Sequence, residues 1–383
     1  MPFPTSVVRR CCLLFVTATL GAAVTIANGP DVRAQTEAKP NPLEQPTSDP
    51  LLPAINRSLS PMEVRILQEA LAQMNKQAKA EFEAGNQEGA FVIWYRFLRL
   101  HQQLSPLEEI EALGQVGTIA WEAMRGADVQ IITKRLTAIQ RKAERKVPLT
   151  PEFLTAFATA YGQVHSLDNS LDVYQKILKN NQHEGNLKAQ EETLNVLGGL
   201  YLAKFNYTKA AEIYEILLDL AKAQQNAYTQ GLYLQELAKI YTQASNPENA
   251  VRIKEDLANS YLETKNLLAI PPLKIAIADD YVALGQAEKA SQNYQEAFSL
   301  AWSLQEFGAA GEALNKLAKL YRDNNQKDYA LRIYNELIKV QQQSYNYYGL
   351  MQAYDLIGQI YLEEKNYQQA LSYFKQEIGR AHV

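Results

Sequence analysis

The stretch Leu194–Tyr214, "LNVLGGLYLAKFNYTKAAEIY", decides the fold because its residue pattern returns along the chain at one fixed interval. The tyrosine at its centre recurs every 40 residues, at Tyr161, Tyr201, Tyr241, Tyr281, Tyr321 and Tyr361. A small residue follows nine positions later, at Ser170, Ala210, Ala250, Ala290, Ala330 and Ala370. Another small residue precedes each tyrosine by three positions, at Ala158, Gly198, Ala238, Ala278, Ala318 and Gly358. Six copies in one register predict a repeated structural unit.

The unit that fits this pattern is a helical hairpin. Two helices can cross closely only where side chains are small, and larger side chains fill the space beside the crossing. Four residues after the small residue at Ala210 and its equivalents there is usually an aromatic residue, with Lys254 as the exception. Turn sequences such as "KFNY" at Lys204 divide each copy into two helices. A single hairpin cannot bury both faces, so we predict an all-α fold, an α-solenoid of about eight stacked hairpins.

The pattern resembles the tetratricopeptide repeat, in a variant with a 40-residue period instead of about 34. The residues that carry the resemblance in the opening stretch are Leu194, Leu197, Gly198, Tyr201, Ala210 and Tyr214. The resemblance covers Pro151–Glu377 and implies a superhelix in which the first helix of each hairpin lines a polypeptide-binding groove. In signal, tether and composition the chain also resembles exported cyanobacterial members of this family, including a periplasmic photosystem II assembly factor.

The chain divides into five predicted segments. These are a signal peptide at 1–34, a disordered Pro-rich tether at 35–60, divergent hairpins at 61–146, six repeats at 150–377, and residues 378–383. The last six residues, "IGRAHV", match the translation of a common sequencing adapter, so we expect that they are not biological and that the natural chain is longer. Helix starts are predicted at "SPME" from Ser60, "SPLE" from Ser105 and "TPEF" from Thr150, each with a cap residue and a proline.

The N-terminus predicts export. Arg9 and Arg10 precede an uncharged run from Cys11 to Ala27, and "VRA" from Val32 to Ala34 suits a signal peptidase. We therefore expect a periplasmic protein cleaved near Ala34; an uncleaved membrane anchor is the alternative, at the short end of a spanning helix. The predicted mature chain has no cysteine, and its net charge changes from −4 to −6. That balance gives no general case for nucleic-acid binding.

The sequence predicts no enzyme site. It contains no Gly-rich phosphate loop, no G-x-S-x-G motif and no H-E-x-x-H motif. The four histidines, His101, His165, His183 and His382, lie far apart and have no metal-ligand spacing. We therefore assign no catalytic residue, no cofactor and no metal ligand.

Two candidate binding surfaces remain. The resemblance places a partner groove on the first helices of the hairpins, at Asn195, Gln235, Lys239, Asp279, Asn315, Lys319, Asp355 and Gln359. The irregular second hairpin carries a basic patch, formed by Lys134, Arg135, Arg141, Lys142, Arg145 and Lys146. This patch is either a solvated face or a dock for an acidic partner or an anionic membrane surface.

The preferred hypothesis is a non-catalytic protein-interaction scaffold or assembly factor that binds a protein or peptide. The alternative is the recognition arm of a longer enzyme whose catalytic domain follows residue 377. A third possibility, a glycan-binding wall protein, requires aromatic side chains in the groove, and the predicted inward positions contain none.

Overall fold

The computed structural model describes residues 41–45, 49–55, 57–145 and 148–380. These residues form sixteen α-helices and no β-strand, and consecutive helices pair into a linear series of hairpins. The predicted all-α solenoid is thereby confirmed. The predicted signal peptide and its two cysteines lie outside the described residues. Among the helices described, none is both long and apolar enough to cross a membrane.

The helix bounds follow a regular spacing after the second hairpin. The first six are α1 Pro61–Glu83, α2 Gln87–His101, α3 Pro106–Glu122, α4 Gly126–Glu144, α5 Pro151–Gln163 and α6 Leu167–His183. The next five are α7 Leu187–Ala203, α8 Tyr207–Ala223, α9 Ala227–Gln243, α10 Pro247–Glu263 and α11 Ile270–Ala283. The last five are α12 Ala287–Ser303, α13 Phe307–Asp323, α14 Lys327–Gln343, α15 Tyr347–Glu363 and α16 Tyr367–Arg380. A 3₁₀ turn, Leu267–Ala269, precedes α11.

The connections between helices explain the 40-residue period. After α7, Phe205 has a left-handed backbone (φ 56°), and its N–H donates to the Leu202 carbonyl at 2.9 Å. The Asn206 N–H donates to the Tyr201 carbonyl at 2.9 Å, which satisfies the helix end. The Asn206 side chain then accepts the Lys209 N–H at 3.1 Å and caps α8. Helices of 17 residues and turns of three give a unit of 20, and two units make one repeat.

The helix starts predicted from the sequence are confirmed. Ser60 and Glu63 form a reciprocal capping box at α1, and Ser105 and Glu108 form the same arrangement at α3. Thr150 accepts the Phe153 N–H at the start of α5. Each of these helices has a proline in its first turn, where the missing N–H removes no intrahelical bond.

The predicted small residues lie in the core. Those nine residues after the repeated tyrosine are all buried: Ser170, Ala210, Ala250, Ala290, Ala330 and Ala370. At Gly198 an added Cβ would lie 2.7 Å from Cε2 of Tyr214, so the aromatic ring occupies the space that a side chain would need. This contact confirms the predicted packing of a small residue against an aromatic residue within a hairpin.

The repeated tyrosines connect neighbouring hairpins. The Tyr241 hydroxyl on α9 donates to the Glu215 carboxylate on α8 at 2.7 Å. The Tyr281 hydroxyl on α11 donates to the Glu255 carboxylate on α10 at 2.8 Å. Burial, and after it the bonded carboxylate, raises the pKa of each tyrosine to about 12. A phenylalanine would fill the same space but could not make this bond.

A short N-terminal segment, residues 41–45 and 49–55, packs on α2; we call it the N-terminal strap. Leu43 is buried, and the Arg96 guanidinium binds Asp49 at 2.7 Å. The Arg99 side chain donates to the Pro42 carbonyl at 2.8 Å. In these residues the structure differs from the disordered tether predicted for 35–60, because one leucine and one ion pair hold the segment on the solenoid.

The second hairpin, α3–α4, departs from the regular stacking. Helix α5 packs mainly against α3 and only weakly against α4. An added Cβ at Gly114 would lie 3.2 Å from the Ala160 Cα, and one at Gly117 would clash with the Val164 side chain. These two glycines therefore permit the close approach of α5 to α3, which leaves one side of α4 uncovered.

Candidate functional site

The predicted groove residues lie on the odd-numbered helices α7, α9, α11, α13 and α15. Each is at least partly exposed: Asn195, Gln235, Lys239, Asp279, Asn315, Lys319, Asp355 and Gln359. Side-chain hydrogen bonds link α7 with α9 and α11 with α13 directly. The surface formed by these side chains is called the odd-helix face below.

At the α7–α9 contact the predicted residue is part of a hydrogen-bonded network. The Asn195 amide donates to the Tyr233 hydroxyl at 3.0 Å, and that hydroxyl donates to the Glu191 carboxylate at 2.9 Å. Burial raises the pKa of Tyr233 to about 12. Asn195 therefore joins two hairpins, and this bonding occupies part of its capacity to bind a partner.

The α11–α13 contact forms a small polar pocket of about 390 Å³. Asp279 accepts hydrogen bonds from the Tyr294 hydroxyl and the Lys316 ammonium, both at 2.6 Å. Burial and the Asp279 carboxylate raise the pKa of Tyr294. Lys319 also lines the pocket and makes no hydrogen bond or ion pair with the described residues. We call this the α11–α13 pocket.

The other predicted groove residues differ in whether their polar groups already have a partner within the chain. Lys239 is paired with Glu236 at 2.6 Å, and the Gln359 amide donates to Asp355 at 2.7 Å. Gln235 has no polar partner among the residues described. The structure therefore does not gather the eight residues into one clamp, and the unpaired groups concentrate on α13 and at Gln235.

The predicted basic patch does not form a single surface. Arg135 pairs with the buried Glu109 at 2.6 Å, and Lys142 lines the same side of α4. Lys134 and Arg141 line a different cleft on another side of the helix. The separation follows from the helical rotation of about 100° per residue. Lys146 lies outside the described residues.

Sequence reasoning missed a stacked aromatic pair beside α4. The Trp121 and His165 rings lie 4.2 Å apart between centroids, with 17° between their planes. Trp121 takes the register position of the repeated tyrosines, of which Tyr161, Tyr241 and Tyr281 are buried, but is 48% exposed. Burial lowers the pKa of His165. The sequence signal was present in Gln130, a polar residue where the other hairpins have a small one.

The exception at the aromatic position has a structural partner. The Lys254 ammonium binds the Asp280 carboxylate at 2.6 Å, and their side chains are only 7% and 14% exposed. Burial raises the pKa of Asp280, and the hydrogen bond from Lys254 opposes this rise. The pair joins α10 to α11, so it belongs to the interface between hairpins and not to a binding surface.

No group of three or more potential metal ligands occurs in the described part of the chain. The adjacent acidic residues Asp279 and Asp280 point to different partners, Lys316 and Lys254 respectively. Their carboxylates therefore do not share one site.

The sequence comparison identifies the repeat type at the C-terminal end. Residues 352–379, in α15 and α16, match the model of the tetratricopeptide repeat. The last hairpin has a tetratricopeptide repeat sequence. No curated protein gives a significant match to the chain.

Several solved structures align with the solenoid at low identity. BtubC from P. vanneervenii is 17% identical, with 57% of this chain and 91% of that chain covered and a TM-score of 0.38. MamA is 19% identical, with 49% and 95% covered and a TM-score of 0.35. Aspartyl phosphate phosphatase F from Bacillus subtilis is 14% identical, with 86% and 97% covered and a TM-score of 0.31. Likeness at this level assigns no partner or activity.

Proposed function

We propose that the chain is an exported scaffold that binds a partner polypeptide on the odd-helix face. The supporting observation is on α13, where Asn315 and Lys319 are exposed and have no polar partner among the residues described. They lie one helical turn apart beside the α11–α13 pocket, whose wall contains Asp279 and Lys316. In this proposal the chain contributes binding and no catalytic group.

The chemistry of these side chains fits an extended polypeptide. An asparagine amide can donate to and accept from a peptide main chain, and a lysine ammonium can bind a carboxylate. Gln235 on α9 offers a second free amide on the same face. A partner that lies across α9, α11 and α13 would meet amide groups at both ends and the ammonium of Lys319 at one end.

A site-specific photocrosslinking residue tests this proposal. We would place it at Asn315 or Gln235 on the odd-helix face, and at Asn335 on α14 as the matched control. Asn335 follows Asn315 by one 20-residue unit and is also exposed, but lies on an even helix. We expect one partner to be captured from both odd-helix positions, to be lost in Lys319→Glu, and to be absent at Asn335. Equal capture at Asn335 would contradict a dedicated odd-helix face.

Export and the biological setting belong to the same proposal. We infer export from the predicted signal peptide, and a role in photosystem II biogenesis from the general resemblance to exported cyanobacterial repeat proteins. Sequencing the N-terminus of the mature protein should show cleavage after Ala34. The partner crosslinked at Asn315 should be a reaction-centre subunit; a different partner would refute the photosystem II role but not the scaffold function.

A further inference from the structure

A cleft of about 570 Å³ lies between α4 and the turn that joins α5 to α6. The stacked Trp121 and His165 rings form one wall, and residues of α4 from Val129 to Arg141 form the other. Trp121 remains 48% exposed although its ring is stacked on His165. The cleft therefore offers an open aromatic surface beside a helix with charged and hydroxyl side chains.

The cleft exists because the helices around it are packed irregularly. Gly114 and Gly117 allow α5 to approach α3, so α5 does not cover α4 as the odd helix of the next hairpin does from α6 onward. In five of the six regular hairpins the register position of Lys134 carries an aromatic residue, which is buried at Tyr214, Tyr294 and Tyr334. The backbone packing that opens the cleft and the polar residues that line it thus occur in the same hairpin.

The two cations in the cleft have no carboxylate in direct contact among the described residues. Lys134 and Arg141 line it, and neither makes an ion pair or hydrogen bond with the described residues. No carboxylate is among the lining residues. Lys134 has the same register position as Lys254, but the position of its carboxylate partner Asp280 is occupied by Ala160. The two cations lie seven residues apart on the same face of α4, and both are exposed.

We propose that this cleft is a binding site for an acidic peptide segment of a partner protein, with an aromatic or aliphatic side chain packed on Trp121. Two carboxylates of the segment would bind Lys134 and Arg141, since charge-assisted bonds are the strongest available to such groups. The free side chains of Gln130 and Thr133 can bond its main chain. A concave site of this kind favours a peptide over a flat anionic membrane. The site is separate from the odd-helix face and does not depend on it.

Fluorescence anisotropy tests the proposal with a fluorescein-labelled peptide of four glutamates around one phenylalanine. The variant Lys134→Glu/Arg141→Glu should lose binding by about tenfold or more, because each cation makes a charge-assisted bond. The matched control Lys142→Glu/Arg145→Glu makes the same change in charge on the same helix, outside the cleft. It should bind the peptide within about twofold of the wild type, because salt screens the two changed charges from a peptide bound in the cleft. Circular dichroism of both variants checks that they are folded.

Two further measurements separate this site from general attraction of charge. Trp121→Ala should weaken the peptide with phenylalanine, and should have little effect on a peptide with alanine in its place. Equal loss in the two double variants would overturn the proposal, because it would show non-specific attraction. Binding to anionic phosphatidylglycerol vesicles without binding to the peptide would also overturn it, in favour of a membrane surface.

Discussion

The buried ion pair of Lys254 and Asp280 allows the change in the free energy of unfolding to be predicted for variants of either residue. Other hairpins carry an aromatic residue at the lysine position, at Tyr174, Tyr214, Tyr294, Tyr334 and Phe374. They carry an apolar residue at the aspartate position, at Ala160, Leu200, Ile240, Leu320 and Ile360. The interface between α10 and α11 has therefore exchanged one apolar contact for one ion pair. We predict that the pair can be replaced as a unit but not one residue at a time.

The single variants should be strongly destabilised. Lys254→Phe leaves the Asp280 carboxylate with no cation, and its side chain is only 14% exposed. Removing one partner of a buried pair costs about 3–5 kcal/mol. We expect about 3 kcal/mol here, since Asp280 retains some contact with water. Asp280→Leu leaves the Lys254 ammonium, 7% exposed, without a partner, and we expect a loss of about 3–5 kcal/mol by the same reasoning.

The double variant should behave differently. Lys254→Phe/Asp280→Leu restores the residue types of the other hairpins and leaves neither charge buried. Replacing a buried ion pair by packed apolar side chains is often neutral or stabilising by about 1–4 kcal/mol. The coupling energy of the cycle should therefore be about 6 kcal/mol or more in favour of the double variant, well above the usual error of additivity.

Urea unfolding followed by far-ultraviolet circular dichroism measures these differences. The slope with urea must be compared among the variants, because a repeat array can lose its cooperativity and unfold in steps. Lys339→Phe is the matched control: Lys339 is 66% exposed and pairs with Glu336 at 2.7 Å, so its loss should cost under about 1 kcal/mol. Losses of that small size in both Lys254 and Asp280 single variants, or a double variant as unstable as their sum, would refute the reasoning.

Two other predictions concern local packing and acid stability. Gly198→Ala should be about 1–3 kcal/mol less stable than Gly199→Ala, because the new Cβ at 198 meets Tyr214 whereas at 199 it meets open space and gains only helix propensity. Equal melting temperatures would contradict the contact. The hydrogen bond from Arg96 lowers the pKa of Asp49, so its stabilisation should persist above the ordinary value of about 3.9 and be lost as the pH falls through the lowered value. The difference in melting temperature between wild type and Asp49→Asn should therefore shrink towards zero in acid; a constant difference down to about pH 3 would contradict this assignment.

The regular part of the solenoid was readable from the sequence because each repeated residue has one local task. The spacing of Tyr201 and Ala210 places an aromatic residue and a small residue at fixed points of a hairpin, and the structure has them there. The left-handed conformation of the turn residues was harder to predict from the sequence. Left-handed residues recur every 20 positions, but glycine supplies few of them, and residues such as Phe205 and Gln225 take this conformation in the others. A left-handed non-glycine residue costs about 1–2 kcal/mol, so propensity alone predicts against these turns.

The irregular hairpin could not be predicted in the same way. The residues Gly114 and Gly117 are visible in the sequence, but nothing in their spacing indicates that α5 is the helix that approaches them. For the same reason the basic patch looked like one surface, although Arg135 pairs with Glu109 on α3 and is not free. Such contacts depend on which helices meet, which is a property of the whole stack and not of a local pattern.

The two lysines at the aromatic register position show how a departure from the repeat can be interpreted. At Lys254 the next hairpin supplies Asp280, so the changed pair is complete within the chain and needs no outside partner. At Lys134 the corresponding residue is Ala160, and the lysine faces an open cleft together with Arg141. A charge whose counterpart is missing from the repeat gains nothing for folding, because exposed cations four or seven residues apart on a helix only repel. The uncompensated departure is therefore the better guide to a binding site, and the compensated one to the assembly of the solenoid.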